Sequence, residues 1–317
     1  MIWRHIASNA VTLLIVLLFL MGGLILWGKS QYDGVGPLSE AYCVEVPGGT
    51  NMRRVSDTLA EEGVISSASI FRIGADYADK TSQLKAGSYL VPENASMAQI
   101  VDTITRGGAS SCGIEIVYRI GVNSIGVRLR ELDPQTNQFV EKADFNPVEE
   151  TSPEIYEDRK DDAGTRFRVA LAEGVTSWQI VEGLKAMDIL QGTVEEVPPE
   201  GALAPDSYEV RPGDARADVL ARMRVAQEGR VAEAWSARAE DLPIQTPEEL
   251  LILASIIEKE TGVAEERGQV ASVFVNRLNQ GMRLQTDPTV IYGVTQGRGV
   301  LGRGLRQSEL RAQTPWN

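Results

Sequence analysis

Residues 248–262 read EELLILASIIEKETG. Thr246 and Pro247 just before them are a helix start, with Thr246 as N-cap, Pro247 at the first helical position and Glu249 closing a capping box. From Leu250 to Ile257 only Ser255 is polar, a pattern that predicts a helix buried on every side. Glu258 and Glu260 then fall at its C-terminal end, where desolvation and the negative end of the helix dipole would both favour a protonated carboxyl. At about 100° per residue the two glutamates diverge by about 200° and cannot share one site. Glu258 lies beside the small Ala254 and Ser255, Glu260 beside the bulky Leu253 and Ile256. Small neighbours leave room for a substrate, so Glu258 is the candidate acid and Glu260 the structural residue. The plainer reading of Glu258 is a surface glutamate at a frayed helix end.

Downstream, Val270, Val273, Phe274, Arg277 and Leu278 predict an amphipathic helix over 264–280, with Asn276 off the stripe. The stretch MRLQTDPTVIYG, 282–293, reads as a short strand, a polar corner and a helix opened by Pro288, with Asp287 as its N-cap. That reading leaves Gln285 and Thr286 without a role.

Working outward, 317 residues suffice for two or three modest domains. The formal charge of −13 argues against nucleic acid as a partner. One histidine, His5, and two cysteines exclude His-based triads and thiolate zinc sites, so no metal is expected. Residues 11–27, VTLLIVLLFLMGGLILW, carry no charge and approach the ~20 residues that span a bilayer as helix. No A-x-A-like cleavage site follows, so the expectation is an uncleaved single-pass anchor at 10–28. The flanking charges place residues 1–9 in the cytoplasm and the bulk of the chain outside. An exported position would permit a disulfide between Cys43 and Cys112, two free buried thiols being the other reading.

After a linker at 29–42 comes an internal repeat. VPGGTNMRRVSDTL, 46–59, aligns with LAEGVTSWQIVEGL, 171–184, and GSYLVPENASMAQIV, 87–101, with DSYEVRPGDARADVL, 206–220. Each unit, 43–112 and 166–225, reads as strand, helix, return strand and second helix. Between them, 113–165 reads as strand pairs followed by an acidic surface loop, EETSPEIYEDRKDDAG at 149–164. Residues 217–239 predict a long helix whose Trp235 belongs to a core stripe. The fold class is α+β, and 226–317 form a mainly helical last domain.

The segments LASIIEKETG and ERGQVASVFVNRLNQGMRLQTDPTVIYG resemble the signature of the MltG (YceG-like) endolytic murein transglycosylases. EG.LAPDSYEV upstream and GVISS with LKAGSYLV in the first unit resemble it too. The resemblance implies LysM-like repeat units and a YceG-like catalytic domain at 226–317. It further implies a domain incomplete at its C-terminus, because the chain stops at TPWN. It matches the family's catalytic glutamate to Glu258, with Asn276, Gln285, Thr286, Asp287 and Tyr292 as substrate-binding residues. The implied reaction is a lyase step without cofactor that cuts the MurNAc–GlcNAc bond within nascent peptidoglycan strands and leaves 1,6-anhydro-MurNAc ends, limiting strand elongation. An ordinary glycosidase needs two carboxylates at the bond; here one acid serves both halves. The implied location is the bacterial inner membrane, with glycan strands and the bilayer as partners and peptidoglycan synthases as candidates. The rival reading is a non-catalytic peptidoglycan-binding or scaffold protein, and a weaker third is an exported folding or assembly factor.

Overall fold

A computed structural model describes residues 2–107, 111–162 and 164–317, with side chains from residue 12 onward. The chain divides into two compact units, Met1–Glu115 with Arg130–Glu141 and Glu157–Arg166, and Ile116–Leu129 with Lys142–Tyr156 and Phe167–Asn317.

In the first unit α1 (Ile2–Asp33) is followed by β1 (Tyr42–Val46), α2 (Met52–Glu61), α3 (Ala68–Tyr77), β2 (Gly87–Val91) and α4 (Met97–Arg106). Within α1, Thr12–Asp33 is long and apolar enough to cross a membrane, and none of its most apolar stretch is buried. β1 and β2 pair antiparallel, Val44 opposite Tyr89. The caps of α2 and α4 follow local rules: Asn51 accepts the Arg54 N–H, and Ser96 and Gln99 form a reciprocal capping box. Met52, Val55 and Leu59 of α2 and Ile100, Val101 and Ile104 of α4 turn inward with Phe71 to make the core. Cys43 and Cys112 are joined as a disulfide, their Cα atoms 5.8 Å apart. Two helices, rather than the single one read from the sequence, separate β1 from β2, because Ser67 caps a second start at α3.

The strands β3 (Ile114–Ile120), β4 (Ile125–Asp133), β5 (Gln138–Phe145), β6 (Arg166–Leu171) and β7 (Ser207–Val210) form a sheet in the order β5-β4-β3-β6-β7. β6 and β7 pair antiparallel, Val169 opposite Tyr208. The acidic stretch at 149–164 is not all loop: Glu154–Arg159 form α5. Its Tyr156 is buried because its hydroxyl has partners there, Tyr118 and Asp188, each at 2.5 Å. Between β6 and β7 lies α6 (Ser177–Lys185), opened by a Thr176–Gln179 capping box.

The helices α7 (Arg216–Ser236), α8 (Pro247–Glu260), α9 (Arg267–Asn279), α10 (Asp287–Thr295) and α11 (Gln307–Leu310) complete the second unit. Ile244, Leu253, Ile256 and Phe274 form a core there, with Trp235, Leu250, Ile257 and Val270 packed against it. The expectation that α8 is buried all round fails. Leu253 and Ile256 are buried, but Ile252 is 60% exposed and Ala254 and Ser255 are exposed too. α7, α9 and α10 pack against α8, and among the described residues nothing covers the Ile252 side. Three local readings also change. Glu249 accepts the Gln245 N–H rather than that of Thr246, an extension of the cap by one residue. Residues 282–286 form no strand and are pinned by the Arg277 guanidinium on the Leu284 carbonyl rather than by a neighbouring strand. The N-cap of α10 is Thr286, with Asp287 already inside the first turn.

Candidate active site

The last turn of α8 sends its carboxylates in opposite directions. Glu260 accepts a hydrogen bond from the buried Thr286 hydroxyl, which ties the end of α8 to the start of α10. Glu258 instead meets Arg267 at the start of α9, Nη2 lying 3.1 Å from Oε2. The helix ends between them at Thr261, whose buried hydroxyl donates to Glu266 at 3.0 Å and receives the Val263 N–H.

Glu258 also faces the turn at Gly174, between β6 and α6. A Cβ on Gly174 would lie 3.8 Å from Cγ of Glu258 and 3.2 Å from Nζ of Lys259. Lys259 thus stands beside this turn, where the charges of Glu258 and Glu200 act on it. Burial pushes its ammonium pKa down, and the two carboxylates oppose that shift.

Glu200 lies in the loop before β7. Its Oε2 accepts the Ser177 N–H at 2.9 Å, at the N-terminus of α6, and the Ser177 hydroxyl donates to the Pro199 carbonyl. Burial raises the Glu200 pKa, against the lowering effect of the Ser177 N–H and of Lys259. Gly297 closes the neighbourhood. Its carbonyl accepts from the Thr176 hydroxyl at 2.7 Å, and a Cβ there would lie 2.6 Å from Glu200 Oε1 and 3.2 Å from the Tyr292 ring. With φ at +69° the position favours glycine on conformational grounds as well. Tyr292 sits edge to face against Trp316, ring centroids 4.9 Å apart, and burial raises its phenol pKa, with Glu200 adding to the shift.

Of the residues singled out from the sequence, Glu258 and Tyr292 therefore border one neighbourhood, around the Gly174–Thr176 turn. Thr286 belongs to the opposite side of α8 with Glu260. Asn276, Gln285 and Asp287 are exposed, and no hydrogen bond or ion pair among the described residues links them to Glu258. Gln285 holds a left-handed backbone, φ +47°. The readings from sequence omitted Glu200, Lys259, Arg267 and Gly297. Glu200 had a signal, since it opens the EG.LAPDSYEV stretch, but nothing local to Lys259 or Arg267 indicates what they face. The described residues contain no cluster of His, Cys, Asp and Glu able to hold a metal ion.

A carboxylate with a cation on one oxygen and a glycine turn beside its stem leaves its other oxygen available for proton exchange with a hydroxyl or an ether oxygen.

The endolytic murein transglycosylase of Streptococcus pneumoniae serotype 2 (strain D39) is 26% identical over 310 residues, covering 96% of this chain and 52% of the relative. The enzyme of that name from Bacillus subtilis (strain 168) is 26% identical over 299 residues, covering 94% of this chain and 75% of the relative. The chain thus spans about half the length of the pneumococcal relative. A crystal structure of a yceG-like protein from Listeria monocytogenes aligns at 23% identity over 88% of this chain and 82% of its own, with a TM-score of 0.34, too low to support a structural argument. The YceG-like family profile matches residues 44–317, which covers everything from β1 to the last residue, and the chain belongs to the YceG-like family.

Proposed function

We propose that this protein is a membrane-anchored lytic transglycosylase that cuts glycan strands of peptidoglycan, with Glu258 as its acid and base. One observation carries the reading: within a chain of this family, Glu258 leaves the end of α8 toward the Gly174 turn, held by Arg267 at 3.1 Å. As a carboxylic acid it gives its proton to the glycosidic oxygen on C1 of N-acetylmuramic acid, and the C1–O bond breaks. As a carboxylate it takes the proton of the same sugar's C6 hydroxyl while O6 bonds to C1. Atoms balance without water, and the product is a 1,6-anhydro end. Arg267 stabilises the carboxylate needed for the second half, and its ion pair opens for the first. Glu200 positions the Gly174–Thr176 turn from its bond to Ser177, and Lys259 stands between the two carboxylates.

In this reading residues 43–112 and 166–225 are LysM-like units, 113–165 an insertion between them, and 226–317 the YceG-like catalytic domain. Asn276, Gln285 and Asp287 line the approach to the groove and Tyr292 its wall. Thr12–Asp33 anchors the chain with its N-terminus in the cytoplasm, and the Cys43–Cys112 bridge suits an oxidising exterior.

The purified protein with uncrosslinked glycan strands tests the chemistry. Wild type yields 1,6-anhydro-muramic ends, and Glu258→Gln yields none while still binding strands. Reducing ends from hydrolysis, or full activity in Glu258→Gln, overturn the single-carboxylate mechanism. The binding-only alternative would look to the first unit, whose polar cleft between Glu45, Gly87, Arg159 and Thr165 holds about 200 Å³. That is below the ~300–1,000 Å³ of typical ligand sites, so the cleft does not favour it.

A further inference from the structure

We infer that α3 lies on the outer surface of the bilayer and inserts Ile73 and Tyr77 into its interface, making the first unit a second membrane contact beside the anchor. The inference rests on the anchor reading of α1. The chain is free of charge from residue 6 to residue 28, so the ~20 residues that cross the ~30 Å hydrocarbon core lie within that stretch. Trp27 then falls at its outer edge, where aromatic side chains settle. α1 does not stop there. It continues as helix to Asp33, and its last turn packs against the folded unit.

The docking point is Tyr32. Its ring lies on Gly74 of α3 so closely that a Cβ there would sit 2.2 Å from Cε2. Tyr32 stands five positions beyond Trp27, about 7.5 Å of helix rise. The headgroup layer on each side of a bilayer is about 5–8 Å deep. Gly74 is therefore held at the level of the headgroups.

α3 buries Phe71 and Ala75 in the core and turns Ile73 and Tyr77 outward, 69% and 95% exposed. These two stand one helical turn apart on one face, next to the Gly74 stripe that meets α1. A large aliphatic and a nearly fully exposed tyrosine, fixed at headgroup depth, match the apolar body and polar tip that interfacial side chains present. On and after α3, Arg72 pairs with Asp57 and Lys80 with Asp102, while Asp76 and Asp79 add negative charge. With −13 over the whole chain, attraction to anionic lipid cannot hold this face down, so insertion of the two side chains must.

The test uses the full chain in phosphatidylethanolamine–phosphatidylglycerol vesicles, with the Cys43–Cys112 bridge kept oxidised. Nitroxide labels go on Trp27→Cys, Ile73→Cys, Tyr77→Cys and, as a water-exposed reference, Val225→Cys, which is 68% exposed in the wild type. Power-saturation spectra with oxygen and with a nickel chelate read depth. The expected result is chelate access at 73 and 77 at least about threefold below that at 225, with oxygen access raised, and still lower chelate access at 27. Chelate access at 73 and 77 equal to that at 225, with 27 shielded, overturns the α3 contact and leaves the anchor standing. Full chelate access at 27 overturns both. Labels at 73 and 77 shielded from chelate and oxygen alike point to a protein neighbour, and overturn the lipid contact too.

Discussion

Glu258 and Glu260 stand two positions apart in the chain, yet one pairs with Arg267 and the other with Thr286. The difference predicts separable mutants. Thr286→Val removes the donor to a carboxylate and should lower unfolding free energy by about 1–3 kcal/mol, while leaving the rate of strand cleavage within about twofold. Equilibrium urea unfolding and product counting read the two effects separately. Gly297→Ala should cost about 1–3 kcal/mol from its left-handed backbone alone, before the crowding of Glu200 and Tyr292 is counted. Because it deforms the Gly174–Thr176 neighbourhood, cleavage should fall along with stability. Glu200 makes a pH prediction. Its folded pKa is raised above the ordinary 4.5, so the unfolded chain releases this proton first. Its stabilising contribution is present below pH 4.5 and is lost as pH rises through the folded value. The melting temperature of wild type relative to Glu200→Gln should therefore decline from pH 4 to pH 7. A flat difference would show that the carboxyl is not desolvated.

At the scale of elements, α8 behaves as a one-sided helix in spite of its apolar composition. Ile256→Ala empties a site that is 6% exposed and should cost about 2–4 kcal/mol, whereas Ile252→Ala, at 60% exposure, should change stability by no more than about 0.5 kcal/mol. Equal losses would mean that a surface covers Ile252 in solution. β1 is tied through Cys43 to Cys112, which lies just before β3, 69 residues on. Loop-closure entropy for that length corresponds to about 4 kcal/mol. Reduction, or Cys43→Ser with Cys112→Ser, should lower the stability of the first unit by up to that amount, read by urea unfolding with and without reductant. Of the caps read from sequence, Thr246 stands as the N-cap of α8, while that of α10 falls one residue earlier than Asp287, at Thr286.

For the molecule as a whole, α1 sets the frame. A continuous helix from the apolar span to Asp33, with Tyr32 seated on Gly74, leaves no flexible tether between that span and the rest of the first unit. The linker read from sequence at 29–42 is helical up to Asp33, and only the remainder is irregular. Gly74→Leu should disrupt this seat without touching Glu258, the proposed acid. Cleavage of free strands should persist, and protease sensitivity near residue 34 should rise.

Local pattern determined a good deal of this protein: the apolar span, the amphipathic helices, the strand-rich middle, the Thr246 cap of α8, and the motif run that places the chain in its family. Those signals act over a few residues, through hydrogen bonds to adjacent backbone and through periodicity. Tertiary structure decided the rest. Which side of α8 is covered depends on α7, α9 and α10, and the apolar run from Leu250 to Ile257 is equally apolar on both sides. The company of Glu258 depends on contacts far apart in the chain, Ser177 with Glu200 at 23 residues and Thr176 with Gly297 at 121. Such pairs leave no mark in a window of sequence. They exist because packing the sheet and helices brings the Gly174 turn to the end of α8, beside a glutamate that local pattern picked out and a lysine that it did not.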